Sequence, residues 1–344
     1  MANQMKQFLG GAALAAILTL PSAGAFSAED RTWIQHPAQS FAAHDLDLER
    51  VVADVTINVT NGGPVTMSVS GPKFLVDGVQ SHMNGATLVV TGPKNAEMSF
   101  SVWDISKWFD YSDVGDKARV KVVLNVPRGT DVVAHKMIGD MRAGDLESHV
   151  TLESAAGDIV FGKVSEAHLK AAGSGDISIA GVSGPLELGV AGSGDIKVGP
   201  SATANVSIAG SGDTTLGPVN GALRADIAGS GDLVVGGVNG PVTISIAGAG
   251  DVKINGGQAT PLKVSIVGAG DFGFAGNAVD PTISAIGSGD VWIKSYTGKL
   301  SSSGMADVTI GEHKNSGGTS WTPPVPPAPA VKPVKPVKPV RDDN

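Results

Sequence analysis

Ten aspartates mark time along the second half of this chain. Asp140, Asp158, Asp176, Asp195, Asp213, Asp232, Asp251, Asp271, Asp290 and Asp307 follow one another at steps of 17 to 20 residues. Most close the same spelling, as in AGSGDISIAG (172–181), where a glycine turn meets an acid. A period this short and this constant constrains the fold before anything else does. It is the signature of a solenoid, whose coils cannot bury an apolar face alone and must stack.

The interior of one period says what a coil contains. Apolar residues sit one and three positions after the Asp: Ile177/Ile179, Ile196/Val198, Leu233/Val235, Val252/Ile254, Val291/Ile293 and Val308/Ile310. The position between them is mostly polar, as at Ser178, Lys197, Lys253 and Thr309. This is the two-residue alternation of a strand with one face inward. A second alternating run precedes the turn, as in Leu223/Ala225/Ile227 and Val242/Ile244/Ile246, and a second turn (VSGP, VNGA or VNGP) punctuates the far side. A hexapeptide left-handed β-helix needs an aliphatic residue every six positions, which these i, i+2 pairs do not supply. The expected fold is all-β: a single-stranded right-handed parallel β-helix, about 18–19 residues per coil, with an N-terminal β-rich cap.

Domain organisation follows from where this pattern stops. Residues 1–25 read as a signal peptide: Lys6, an apolar run from Phe8 to Leu20, then Ala23-Gly24-Ala25 in the A-x-A cleavage pattern. Residues 26–135 lack the acidic mark but hold alternating segments such as VVADVTINVTN and ARVKVVLNVP, the expected N-terminal β-rich part and cap. Residues 136–312 carry the repeat. Residues 313–344 form a Pro/Lys-rich tail expected to be disordered or polyproline II, with Lys332, Lys335, Lys338 and Arg341 on a three-residue beat. That tail is a solvated spacer or a tether to an anionic partner.

Composition then removes function classes. The chain has no cysteine, so it has no disulfide, thiol nucleophile or thiolate metal site. Its net charge of −8 argues against nucleic acid as a partner. The seven histidines (36, 44, 82, 135, 149, 168 and 313) are scattered, without metal-ligand spacing. Gly268, Gly270 and Gly273 spell G-x-G-x-x-G, but no helix can follow them, so the dinucleotide reading is discarded. No cofactor is expected.

The repeated acid itself invites a calcium reading. The calcium β-roll nonapeptide also makes an 18-residue coil, but it separates Gly from Asp by one residue and occurs twice per coil. Here Gly175 and Asp176 are adjacent, and the opposite turn has no matching Asp. The favoured role for Asp158, Asp176, Asp195, Asp213, Asp232, Asp251, Asp271 and Asp290 is structural: glycine at positive φ, and a carboxylate that binds nearby turn N–H groups. Partner contacts are better sought where the pattern breaks. Five of the sixteen aromatics fall in Met98–Asp116, among them Trp103, Trp108, Phe109 and Tyr111. These either plug the rod or bind a partner, as would Lys332, Lys335 and Lys338 in the tail.

The GSGD-[IVL]-x-[IVL] turns, the GAGD variants at Asp251 and Asp271, and the opening FAAHDLDLERVVADVTINV (41–59) and NGATLVVTG (84–92) together resemble the family "putative auto-transporter adhesin, head GIN domain", related to the putative-adhesin β-helix family. The resemblance covers about residues 40–312. It implies an exported β-helix without catalytic residues, serving adhesion or envelope interaction. The chain departs from an autotransporter in having no translocating β-barrel segment, and it offers no cysteine for a lipid anchor. The expectation is a non-enzymatic exported protein of the periplasm or cell surface, adhesin-like or scaffolding, whose partner is an envelope glycan or protein. The alternatives are a polysaccharide-active β-helix enzyme, with acids and bases converging in one groove, or a calcium-dependent module.

Overall fold

The computed structural model describes residues 32–92, 119–304 and 307–311. The expected signal peptide, the aromatic segment with Trp103, Trp108, Phe109 and Tyr111, and the tail with Lys332, Lys335 and Lys338 lie outside the described residues.

The alternation read from the repeat produces two stacks of parallel strands. One stack leads into the acidic corners: Asp131–Ile138, His149–Ala156, Glu166–Ala171, Pro185–Val190, Thr203–Ile208 and Leu223–Ile227 pair in that order. It continues through Leu233–Gly248, Gly257–Gly268, Thr282–Gly287 and Ser301–Gly304. The trailing stack leaves the corners: Met141–Ala143, Ile159–Val164, Ile177–Val182, Ile196–Val198 and Thr214–Val219 pair in parallel. It continues through Leu233–Gly248, Val252–Ile254, Phe272–Val279, Val291–Thr297 and Val308–Ile310. The fold is the parallel β-solenoid that the spacing implies, with two strands in most coils.

Register turns the apolar pairs into columns. Ile159, Ile177, Ile196, Thr214, Leu233, Val252, Phe272 and Val291 stack directly on one another, all buried. Each buried aliphatic or aromatic side chain contributes about 1.5–3 kcal/mol. Of the inward pairs read from the sequence, Val308 and Ile310 are the exception, being half-buried and exposed on the last described rung. Thr214 is the polar member of the column, and its hydroxyl oxygen is buried without a hydrogen-bond partner.

The N-terminal part joins the same solenoid out of chain order. Asp45–Glu49 lies between Thr87–Thr91 and Asp131–Ile138 in the leading stack. Asp54–Thr60 lies between Lys121–Pro127 and Met141–Ala143 in the trailing stack. The first coil in sequence is therefore the second in space. Beyond the outermost rungs the pairing turns antiparallel. Val65–Pro72 lies on Lys121–Pro127, Gln80–Asn84 lies on Thr87–Thr91, and Trp33–Gln35 and Gln39–Phe41 lie on Val65–Pro72. This is the expected cap: it covers a parallel edge that would otherwise offer free N–H and C=O groups.

Some corner glycines, Gly139, Gly157, Gly248, Gly268 and Gly287, lie at positive φ as the sequence suggested, but others are needed for a different reason. Gly175, Gly194, Gly212 and Gly231 are not at positive φ. Instead, a Cβ on each would overlap the carbonyl oxygen of the glycine one coil earlier, Gly157 for Gly175 and Gly194 for Gly212. A parallel column, Gly192, Gly210 and Gly229, meets the carbonyls of Gly173, Gly192 and Gly210 in the same way. The GSGD spelling marks backbone-on-backbone contact. Gly212→Ala is accordingly expected to cost about 1–3 kcal/mol in chemical denaturation, as overpacking does. Gly256→Ala, where nothing stands within 4 Å of the added carbon, is expected to stay within about 0.5 kcal/mol. Thr214→Val, which replaces the unpartnered hydroxyl by a methyl group, should raise stability by about 1 kcal/mol in the same measurement.

Candidate functional site

Two surfaces concentrate polar chemistry: the acidic corner and the outward face of the leading stack. At the corner the carboxylates reach along the solenoid axis. The Asp158 N–H donates to Oδ1 of Asp140 at 3.1 Å, Asp176 to Asp158 at 3.1 Å, and Asp195 to Asp176 at 2.9 Å. Asp213 donates to Asp195 at 3.1 Å, Asp232 to Asp213 at 3.3 Å, and Asp251 to Asp232 at 2.8 Å. Asp271 donates to Asp251 at 2.8 Å and Asp290 to Asp271 at 2.7 Å. The carboxylate was expected to bind nearby turn N–H groups, and the one it binds belongs to the turn of the next coil. The backbone of the same residue closes the loop, since the Ile177 N–H donates to the Asp195 carbonyl at 2.9 Å and the Ile196 N–H to that of Asp213 at 2.8 Å.

The ladder begins one rung earlier than the sequence reading placed it. Asp54 accepts from the Asp140 N–H at 3.3 Å and from Arg119 Nη1 at 3.3 Å. Asp54 opens DVTI, which fits the D-[IVL]-x-[IVL] pattern, but it lies 86 residues from Asp140. Only the out-of-order coil brings the two together. Among the described residues, no group of three or more His, Asp or Glu converges in a way that could hold a metal ion.

A row of like charges has a cost, and it surfaces at Asp251. Burial raises the Asp251 carboxyl above its ordinary 3.8; the Asp271 N–H opposes that, and repulsion from Asp271 and Asp232 adds to it. A carboxylate raised in the folded state destabilises the fold when ionised. That cost is present at neutral pH and disappears as pH falls through the raised value. Asp251→Asn keeps an oxygen acceptor for Asp271 and removes the charge. It is expected to raise the melting temperature by about 2 °C at pH 7. The gain should vanish below about pH 3.8.

The outward face of the leading stack is built from positions between the buried residues. One column runs Thr151, His168, Glu187, Asn205, Arg224, Thr243, Lys263 and Thr282, one residue per coil. Beside it lies a shallow groove of about 510 Å³, lined by His168, Glu187, Thr203, Asn205, Arg224 and Thr243 together with Pro185, Leu186, Ala204, Ala222, Leu223 and Pro241. The charges in it are already paired. Arg224 Nη2 meets Asp226 of the same strand at 2.8 Å, and Glu187 meets His168 at 2.6 Å.

Below the groove the histidines are no longer scattered. His149 Nδ1 lies 3.2 Å from Asp131, and His149 Nε2 lies 3.4 Å from Glu166. His168 Nε2 lies 2.8 Å from the other oxygen of Glu166, and His135 Nδ1 lies 3.5 Å from Glu153. The hydrogen bond that the ring donates to Glu166, with a further contribution from the one to Glu187, raises the His168 imidazole above its ordinary 6.5 against the pull of burial. Sequence spacing could have found these contacts by the rule that found the aspartates: Asp131 to His149, His149 to Glu166 and His168 to Glu187 are steps of 18, 17 and 19 residues.

The family described as "Putative auto-transporter adhesin, head GIN domain" matches residues 50–241. Among solved structures, the chain is similar to a "putative adhesin" from Bacteroides fragilis at 13% identity, covering 82% of this chain and 98% of that one, with a TM-score of 0.32. A "putative adhesin" from Parabacteroides distasonis matches at 16% identity over 82% and 98% of the two chains, with a TM-score of 0.33. A "putative lipid binding protein" from the same species matches at 15% identity over 82% and 97%, with a TM-score of 0.31. No curated protein matches.

Proposed function

This chain belongs to the "Putative auto-transporter adhesin, head GIN domain" family, and from that premise we propose that it is an exported, non-enzymatic β-solenoid working in the cell envelope by surface contact, as an adhesin-like or scaffolding protein. The observation that supports this most is the division of labour on its surface. The acidic corners are spent on holding coils together, while the leading face presents one polar side chain per coil along the axis. Such an array suits an extended partner, an envelope glycan or protein, lying along the rod. No helix among the described residues is long and apolar enough to cross a membrane. In this reading the chain acts in the periplasm or at the cell surface. Trp103, Trp108, Phe109 and Tyr111 add an aromatic contact, and Lys332, Lys335 and Lys338 add an electrostatic tether.

The competing enzyme reading has one observation in its favour: Glu187, His168 and Arg224 share a groove. Against it, one coil lies between Glu187 and Arg224, Arg224 is held by Asp226, and the Glu187 carboxylate is engaged by His168. Retention of the mature protein on isolated envelope fractions tests the contact reading. Exchanging the groove charges in Glu187→Arg with Arg224→Glu should lower retention about tenfold, as interface hot spots do. Removing residues 315–344 should lower it further. Equal retention of all three proteins, or turnover of envelope polysaccharide by the wild type, would contradict it.

A further inference from the structure

Five side chains on the leading face form a continuous chain across four successive coils. In order they are Asp131, His149, Glu166, His168 and Glu187. Asp131 belongs to Asp131–Ile138, His149 to His149–Ala156, Glu166 and His168 to Glu166–Ala171, and Glu187 to Pro185–Val190. In both histidines each ring nitrogen faces a carboxylate oxygen, and both rings share the one carboxylate of Glu166.

A neutral imidazole carries a single N–H, so it can donate to only one of its two carboxylates. Its other nitrogen then presents a lone pair to an acceptor-only oxygen, which is repulsive. The imidazolium carries two N–H groups and satisfies both. The geometry therefore matches the protonated rings. We propose that this chain is a proton-operated clasp, which ties four coils together in mild acid and releases them as pH rises past neutrality.

The surroundings favour the charged state. On the same rungs stand His135, Glu153 and Lys170, and Asp45 is the register partner of Asp131 on the preceding rung, with Asp47 and Glu49 on the same strand. Acids outnumber bases in this set, and proton uptake by the rings relieves their mutual repulsion. The raised His168 value agrees in direction. A group whose pKa is higher in the folded state contributes fully below its unfolded value and loses that contribution as pH rises through the folded one. The His168 side chain is 46% exposed, so solvent and salt screen the clasp and its effect is graded.

The test uses the mature protein and two measurements. An NMR titration of the histidine ring protons should place the His168 midpoint above 6.5, and Glu166→Gln, which removes the shared charge, should lower it. Between about pH 5.5 and 8, the melting temperature of the wild type should fall about 2–4 °C more than that of the His149→Gln, His168→Gln double variant. A His168 midpoint at or below the ordinary value, or identical pH slopes for the two proteins, would overturn the proposal. The titration reads the ring directly, so it decides even if the double variant is less stable.

Discussion

From Asp140 to Asp271, the carboxylate of each corner aspartate accepts the backbone N–H of the aspartate one coil on, and the rest of the solenoid is built around that close approach. From Asp176 to Asp290, glycine stands on either side of the corner serine or alanine. With no Cβ in the way, the backbone of one corner rests on the carbonyl of the last. A hydrogen bond to a charged acceptor contributes about 1.5–3 kcal/mol. Like charges one rung apart repel by about 1 kcal/mol in water-like surroundings. The balance favours the ladder at the surface and narrows as the carboxylate is desolvated, the direction in which Asp251 is shifted.

Most of this architecture is legible in the residues. The period, the i, i+2 apolar pairs and the second turn are local signals, and each coil repeats them. What was not legible is what depends on long-range placement. Asp54 fits the local pattern, yet its partner is reached only because Asp45–Glu49 and Asp54–Thr60 slot between rungs that come later in the chain. A second role of the glycines was missed for a related reason. A positive φ is a property of one residue, whereas a carbonyl contact one coil away is a property of the stack. The histidine chain was missed because it was sought at metal-ligand spacing, when the coil register is what places His149 beside Glu166 and His168 beside Glu187.

The regularity of the corner also says where specificity must lie. A bond made identically in every coil cannot single out a ligand. The positions free to vary are the outward ones, and there the leading face changes character along its length: acids and histidines near the cap, then asparagine, arginine and threonine, then lysine and serine. The ladder holds these side chains at fixed intervals without using them. A rigid rod with a graded face fits contact with something extended better than it fits chemistry at a point.

The bond itself can be watched directly by amide hydrogen exchange. In Asp232→Ala the Asp251 N–H loses its acceptor, a bond of 2.8 Å, while the apolar columns and the neighbouring strands are untouched. The Asp251 amide should lose protection by about tenfold or more, close to 1.4 kcal/mol, with the Asp213 amide unchanged. Unaltered protection at Asp251 would show that the carboxylate ladder does not hold the corners, and that glycine stacking alone does.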